Sequence, residues 1–186
     1  MDLEFYMNEA LKEANIAKDI GEVPIGAVVV LNNEIIGYGH NSVELSNHSF
    51  EHAEINAIKM AQDHIGDWRL TDCYLFSTLE PCIMCAGAII QSRIKTLVYG
   101  AKDNKGGFAG SVLNIVGNNV FNHQVEVISG IKEEECKNII VNFFKERRLK
   151  WLNLHIYIYI HNIVYLMDLV RLKKLFKEQK ITIWML

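Results

Sequence analysis

Two short motifs in the middle of the chain carry side chains that bind soft metal ions. His52 is followed two positions later by Glu54, and Cys82 and Cys85 form a Cys-x-x-Cys pair directly after Pro81. One imidazole and two thiolates are suitable ligands for Zn²⁺, and three protein ligands leave the fourth tetrahedral position for water, as in catalytic zinc sites. We therefore expect His52, Cys82 and Cys85 to hold a catalytic zinc ion.

Glu54 is the candidate for proton transfer at this site. An ordinary glutamate with a pKa of about 4.3 cannot deprotonate bulk water of pKa about 15.7, whereas zinc lowers the pKa of bound water to roughly 7. Glu54 would then move protons without being a metal ligand. The combination of His-x-Glu with Pro-Cys-x-x-Cys is the signature of zinc-dependent nucleobase deaminases, so it predicts hydrolytic removal of an amino group.

Each motif alone also has an ordinary interpretation. A lone Cys-x-x-Cys can be half of a structural zinc site or a redox pair, and His-x-Glu at a helix start can be a solvated cap. A structural site would need a fourth ligand, but Cys73 lies on a predicted strand and Cys136 in a charged predicted helix. We interpret these two cysteines as buried structural thiols and favour the catalytic site.

The pattern along the chain predicts alternating helices and strands. Apolar residues at helical spacing predict helices over 3–19, 52–62, the segment after Pro81, and 133–148, and β-prone runs predict strands over 25–31, 34–38, 73–77, 94–99 and 124–128. Asn32 and Asn33 tolerate the positive φ of a tight hairpin turn. Residues 39–51 and 100–124 are expected to be loops. The alternation predicts an α/β fold with a central sheet.

Length and composition fit one globular domain with an appendage. The chain has 186 residues, of which 50% are hydrophobic and 22% charged, and its net charge is −3. A polyanionic partner would therefore have to meet a local basic patch. The N-terminal segment lacks the basic and apolar regions of a secretory signal, so we expect a cytoplasmic location.

Four segments, in this order, resemble the bacterial tRNA-specific adenosine deaminases of the zinc-dependent cytidine/deoxycytidylate deaminase superfamily: GEVPIGAVVV, HAEINAI, TLEPCIMCAGAII and AKDNKGGFAGS. The first and third are shared with cytidine, guanine and cytosine deaminases. The glycine-rich AKDNKGGFAGS loop and residues 121–123 are more selective for the tRNA enzymes. The resemblance covers residues 1–150, and it implies a cytidine deaminase-like, three-layer α/β/α sandwich with a central mixed five-stranded sheet.

The same resemblance implies the reaction and its partners. The enzyme would convert the wobble adenosine of an arginine tRNA to inosine, as a homodimer with one Zn²⁺ per subunit and no membrane partner. Hydroxide on the zinc would attack C6 of a flipped-out adenine, with Glu54 as the proton shuttle. Two rival functions remain. A deaminase of free guanine, cytosine or cytidine would use the same zinc site, and a non-catalytic zinc-containing RNA-binding subunit would not need Glu54.

Substrate-binding residues are also implied by the resemblance. Asn41 would contact the base, although it could equally cap a loop. Asp103 and Lys105 would lie near the flanking bases, and otherwise they are solvated loop charges. Gln124 stands where arginine is expected, which weakens the basic contact there. The full set of implied positions is Asn41, Ala53, Asp103, Lys105, Asn122 and Phe144, the last of them in an aromatic and cationic run that could stack bases or pack.

Residues 151–186 depart from the family and form an atypical C-terminal extension of unknown role, outside a deaminase domain of residues 1–150. Apolar alternation predicts a strand over 154–161, and residues 163–180 have helical spacing. Polar residues interrupt any span of the about 20 residues that a membrane anchor needs. The alternatives are an extra packing element, a dimer-edge strand, or translated sequence beyond the family's usual stop, and we favour the last or an idiosyncratic extension.

Overall fold

The computed structural model describes residues 1–153 and residue 156. Each helix and strand predicted within residues 1–150 is present, with bounds within a few residues of those expected. A short helix in the expected 39–51 loop was not predicted, because four residues are too few to show a periodicity. The elements are α1 (Leu3–Asp19), β1 (Gly26–Leu31), β2 (Glu34–His40), α2 (Val43–Ser46), α3 (Ala53–Ile65), β3 (Tyr74–Leu79), α4 (Ile83–Gln91), β4 (Thr96–Ala101) and β5 (Glu126–Ser129), and α5, which covers 133–153.

The strands form one mixed sheet in the order β2-β1-β3-β4-β5. Strand β1 is antiparallel to both β2 and β3, whereas β3, β4 and β5 run parallel. Asn32 and Asn33, with φ of 51° and 64°, form the two-residue turn between β1 and β2, which is the type I′ geometry that suits a twisted hairpin. The predicted mixed five-stranded sheet and its hairpin turn are therefore confirmed.

Helices cover both faces of the sheet. On one face α1 packs through Tyr6, Met7 and Ala10 against Val28 and its neighbours, and Cys136 of α5 belongs to the same core. On the other face α3 and α4 pack against the opposite side of β1, β3 and β4. Because side chains alternate along a strand, β1 is buried on both faces. The three-layer α/β/α sandwich is therefore confirmed.

The two cysteines outside the motifs are buried. Cys73 and Cys136 are free thiols inside the protein, and burial raises the pKa of Cys73 to about 11 and that of Cys136 to about 12. A thiol with such a high pKa is a poor nucleophile and a poor metal ligand near neutral pH. These side chains act as apolar packing groups.

The compact first unit spans Met1–Phe143, and a second unit begins at Phe144. In the part of the chain that the structure describes, we find no helix with the length and apolar character needed to cross a membrane. Ile156 is helical, whereas the apolar alternation predicted a strand at this position. The rest of the predicted 154–161 strand and the 163–180 helix lie outside the described residues.

Strand β2 and helix α3 approach so closely that their backbones touch. A Cβ added at Gly39 would lie 2.1 Å from the carbonyl oxygen of Ala53 and 2.4 Å from the amide nitrogen of Ala57. These are backbone atoms, so no rotamer change could relieve the overlap. Gly39 therefore sets the depth at which the N-terminus of α3 lies against the sheet.

We expect Gly39→Ala to destabilise the protein by about 2 to 3 kcal/mol, because its methyl group must push α3 off the sheet. Gly87→Ala is the matched control, since a Cβ at Gly87 in α4 meets no atom within 4 Å and removal of a helical glycine should stabilise by about 0.5–1 kcal/mol. Urea unfolding of both variants measures the difference. Equal midpoints for Gly39→Ala and the wild type would contradict this account of the contact.

Candidate active site

The site lies where the N-termini of α3 and α4 meet. His52 is the N-cap of α3 and Cys82 is the N-cap of α4, and neither side chain forms a capping hydrogen bond with its own helix. A good N-cap side chain is typically worth about 1 kcal/mol of stability. Both helices forgo this contribution, and the two side chains point to a shared position with Cys85, one turn into α4.

The distances among the three ligand atoms match a tetrahedral metal. His52 Nδ1 lies 3.6 Å from Cys82 Sγ and 3.5 Å from Cys85 Sγ, and the two sulfurs are 3.6 Å apart. With Zn–S of about 2.3 Å and Zn–N of about 2.0 to 2.1 Å at tetrahedral angles, the expected separations are about 3.6 Å for N to S and about 3.8 Å for S to S. The donor set and its spacing therefore fit a zinc ion, and three ligands leave one position open.

The electrostatics of the three ligands favour a cation among them. The hydrogen bond between the Cys82 and Cys85 side chains, with help from His52, lowers the pKa of Cys82 to about 4. The same hydrogen bond, with burial, raises the pKa of Cys85, and the contact with Cys82 raises the pKa of His52. Two thiolates at this distance repel each other, so protons are retained unless a metal ion replaces them.

Glu54 lies in the first turn of α3, two residues after His52, and only 3% of it is exposed. Burial is the main cause of the raised pKa of its carboxyl group. A carboxyl group with a raised pKa takes up and releases protons more readily near neutral pH than an exposed one. Its place beside the three ligands suits a proton-transfer group rather than a fourth ligand.

A cavity of about 250 Å³ opens beside His52 and is lined in part by Asn41, Glu22 and Glu44. Asn41 is buried, and its amide group donates a hydrogen bond of 3.1 Å to Glu22. Glu22 also accepts a hydrogen bond of 2.7 Å from the backbone amide of Leu45. Glu22 thus fixes the orientation of Asn41 at the wall of this cavity.

The residues implied in the glycine-rich loop lie between β4 and β5. Asp103 accepts a hydrogen bond of 2.9 Å from the backbone amide of Lys105, and Lys105 is exposed. The amide of Phe108 donates to the carbonyl of Pro81, at 2.9 Å. The loop is therefore attached directly to the residue that precedes Cys82.

The remaining implied positions are Ala53, Asn122 and Phe144. The side-chain oxygen of Asn122 accepts a hydrogen bond of 2.8 Å from Arg93, so a cation lies beside it although Gln124 is not basic. Ala53 is buried at the first position of α3. Phe144 is 40% exposed and belongs to the second unit, so its contact with substrate stays a prediction.

Two buried carboxylates at the site were missed in the sequence analysis. Glu22 orients Asn41, and Glu80 accepts hydrogen bonds from the loop that contains Asp103. Both lie inside the motif segments GEVP and TLEP, within two residues of a proline. A charged residue in an otherwise apolar motif was the available signal, because a buried carboxylate must be satisfied by hydrogen bonds.

Comparison with known proteins identifies the family. A model of the MafB19-like deaminases matches residues 1–148. The tRNA-specific adenosine deaminase of Bacillus subtilis (strain 168) is 50% identical over 147 residues, which cover 79% of this chain and 91% of that protein. A solved tRNA:A34 deaminase, studied for A-to-I editing at the wobble position of transfer RNA, has a TM-score of 0.70 and 42% identity, covering 73% of this chain and 98% of that one.

The guanine deaminase from Nitrosomonas europaea is more distant, with a TM-score of 0.63 and 27% identity over 75% of this chain and 83% of that one. Fold, ligand cluster and family model together define a deaminase of the MafB19-like class. Within that class, the chain belongs to the family of the tRNA-specific adenosine deaminases. The family resemblance inferred from the four sequence segments is confirmed.

Metal content tests the ligand cluster. We expect the purified protein to hold about one zinc ion per chain by elemental analysis, and Cys85→Ala to lose it together with several degrees of thermal stability, because metal binding is coupled to folding. Cys73→Ala is the matched control, since it also removes a buried thiol but lies outside the cluster. Full zinc retention by Cys85→Ala would argue against these ligands.

Proposed function

We propose that this chain deaminates the wobble adenosine of a tRNA hydrolytically to inosine. By its family resemblance, the substrate is an arginine tRNA. The observation that carries the proposal is the cluster of His52, Cys82 and Cys85 at 3.5 to 3.6 Å, with the buried Glu54 on the adjoining helical turn. Membership of the tRNA-specific adenosine deaminases supports the substrate. The 27–38% identity with two guanine deaminases supports only the shared chemistry.

His52, Cys82 and Cys85 would hold a zinc ion, which supplies a water molecule acidic enough to be deprotonated near neutral pH. Glu54 takes the proton from this water as its oxygen bonds to C6 of the adenine, and delivers that proton to N1. Glu54 then takes the remaining proton from the oxygen that is now bonded to C6 and passes it to the amine. The C6–N6 bond breaks, and ammonia leaves. Only 3% of Glu54 is exposed, so its carboxyl group is largely shielded from bulk solvent.

The cavity beside His52 would receive the extruded base. Its volume of about 250 Å³ is close to the lower end of small-molecule sites, roughly 300–1,000 Å³, which suits one flat heterocycle. Asn41 would bind the purine or its ribose from the cavity wall, held by Glu22. Ala53 lies in the first turn of α3, where backbone amides lack acceptors within the helix and can serve a ligand.

The flanking nucleotides would meet the loops around the cavity. Asp103 and Lys105 would contact the bases next to the adenosine, and Asn122, with Arg93 beside it, would contact a further nucleotide. Phe144 would stack on a base. An anticodon loop is already single-stranded, so little unstacking free energy is needed, and a chain with a net charge of −3 can bind through a few local cations.

The organisation of the protein follows from the same proposal. Residues 1–150 would form the deaminase domain, because the family model ends at residue 148, and residues 151–186 would be an extension without a part in the chemistry. We also infer a homodimer from the family resemblance. A tRNA substrate would place the enzyme in the cytoplasm.

An inosine assay tests the substrate and the role of Glu54 together. The zinc-loaded protein should form inosine in an arginine-tRNA anticodon stem-loop that has adenosine at the wobble position. Glu54→Gln should lower kcat by about 10²- to 10⁴-fold, because it removes the proton-transfer group while preserving the shape of the side chain. Nucleoside analysis by liquid chromatography measures the product.

Glu51→Gln is the matched control, since Glu51 lies three residues before Glu54 and pairs with Lys59 on the surface. This variant should keep wild-type activity. Release of ammonia from free guanine or cytosine, with no inosine from the stem-loop, would preserve the site and contradict the tRNA substrate. Full activity of Glu54→Gln would contradict the proton shuttle.

Truncation tests the role of the extension. A chain that ends at residue 151 should deaminate the stem-loop within about threefold of the full-length rate, because the family model ends at residue 148 and all the site residues proposed above precede it. A chain that ends at residue 131 should fail to give soluble protein, since it loses Cys136, which is fully buried in the core that α1 also covers. Loss of soluble protein in the chain that ends at residue 151 would show that the extension belongs to the fold.

A further inference from the structure

Glu80 is a buried carboxylate on which the glycine-rich loop converges. It follows β3 directly and precedes Pro81, and only 2% of it is exposed. Every hydrogen-bond donor that the structure gives to its carboxylate comes from the loop. The donors are the backbone amides of Asp103 at 3.1 Å, Ala109 at 3.1 Å and Ser111 at 2.9 Å, and the hydroxyl group of Ser111.

These contacts are strong for a physical reason. A buried carboxylate that lacks hydrogen bonds is unfavourable, and hydrogen bonds to a charged acceptor are stronger than those between neutral groups. The four donors therefore satisfy Glu80 only while the loop keeps its closed shape. If the loop opened, both the carboxylate and three backbone amides would lose their partners together.

Gly107 allows the loop to close on this carboxylate. A Cβ at Gly107 would lie 2.4 Å from the Glu80 carboxylate and 2.6 Å from the carbonyl oxygen of Asp103. The backbone of the loop thus passes Glu80 at a distance that any side chain would prevent. A second attachment adjoins it, where the amide of Phe108 donates to the carbonyl of Pro81.

The hydrogen bonds that attach the loop to Glu80 and Pro81 lie at and after Asp103, next to the residues proposed to contact RNA. The amide of Asp103 is held by Glu80, its carboxylate is held by the amide of Lys105, and the next attachments follow at residues 107–111. The direction in which Asp103 and Lys105 point is thereby tied to Glu80. Because Pro81 and the ligand Cys82 follow Glu80 in the chain, the same segment places the loop and the metal site.

We propose that Glu80 is a positioning residue for substrate recognition, which holds the 103–111 loop in the shape that receives the nucleotides flanking the adenosine. This inference rests on the proposed function and names a residue that serves it. A loop that is ordered before binding loses less conformational entropy when the RNA binds. Glu80 acts through the loop and has no contact with the reacting base.

The test uses Glu80→Gln in the full-length, zinc-loaded protein. Glutamine keeps the size of the side chain but replaces one acceptor oxygen with an amide NH2 group. This group donates hydrogen bonds and cannot accept them from the loop amides. Hydrogen exchange at the amides of Asp103, Ala109 and Ser111 should speed up by about tenfold or more, since hydrogen bonds to a charge are lost. Zinc content and exchange in β1 and β3 should match the wild type.

Kinetics with the anticodon stem-loop separate positioning from chemistry. Glu80→Gln should raise KM by about tenfold and change kcat by less than about threefold, because contacts to flanking nucleotides act equally on the bound substrate and the transition state. Gly107→Ala should have the same effects from the loop side. Glu51→Gln, which replaces a carboxylate paired with Lys59, should change neither quantity.

Several outcomes would overturn the proposal. Unchanged exchange and unchanged KM in both Glu80→Gln and Gly107→Ala would show that the loop does not depend on this contact. Loss of zinc or of kcat at constant KM would assign Glu80 to the metal site instead. If the wild type itself makes no inosine, the proposed function fails, whereas a failure confined to these two variants overturns only the role of Glu80.

Discussion

The structure depends on bringing three ligand atoms to within 3.6 Å of one another. His52 and Cys82 achieve this because each occupies an N-cap, where the backbone is extended and the side chain is not directed back along its helix. Two positive helix ends then converge on the same point, which favours thiolates. The close backbone contact at Gly39 sets the position of one of these ends, and the parallel β3-α4-β4 unit sets that of the other.

This arrangement also explains the environment of Glu54. Glu54 lies in the first turn of α3, two residues after the N-cap His52, and only 3% of it is exposed. Burial raises the pKa of the carboxyl group, while a cation among the thiolates would hold its ionised form. The proposed proton-transfer group thus owes its burial to the same helix junction that places the candidate ligands.

The sequence motifs predicted the parts of the site that depend on local structure. His52, Glu54, Cys82 and Cys85 lie in short motifs whose helical context can be read from neighbouring residues, and the five strands show β-prone runs. The order of the strands and the contacts of Glu22 and Glu80 could not be read in this way. Glu22 meets Asn41 across 19 residues and Glu80 meets the loop across 23 to 31, and no periodicity encodes such pairings. The short α2 was missed because its four residues are too few to show a helical repeat.

Glu22 and Glu80 solve one physical problem in the same way. The walls of substrate-binding sites are commonly made from loops. Loops lack the regular backbone hydrogen bonds that fix helices and strands. A carboxylate accepts several hydrogen bonds at once, so one buried side chain can fix a whole segment: Glu22 holds Asn41 and the amide of Leu45, and Glu80 holds Asp103, Ala109 and Ser111. Since each carboxylate is buried, opening its segment would leave a charge without partners. Glu22 therefore holds part of the wall of the cavity beside His52, and Glu80 holds the glycine-rich loop, each through contacts that need no bound substrate.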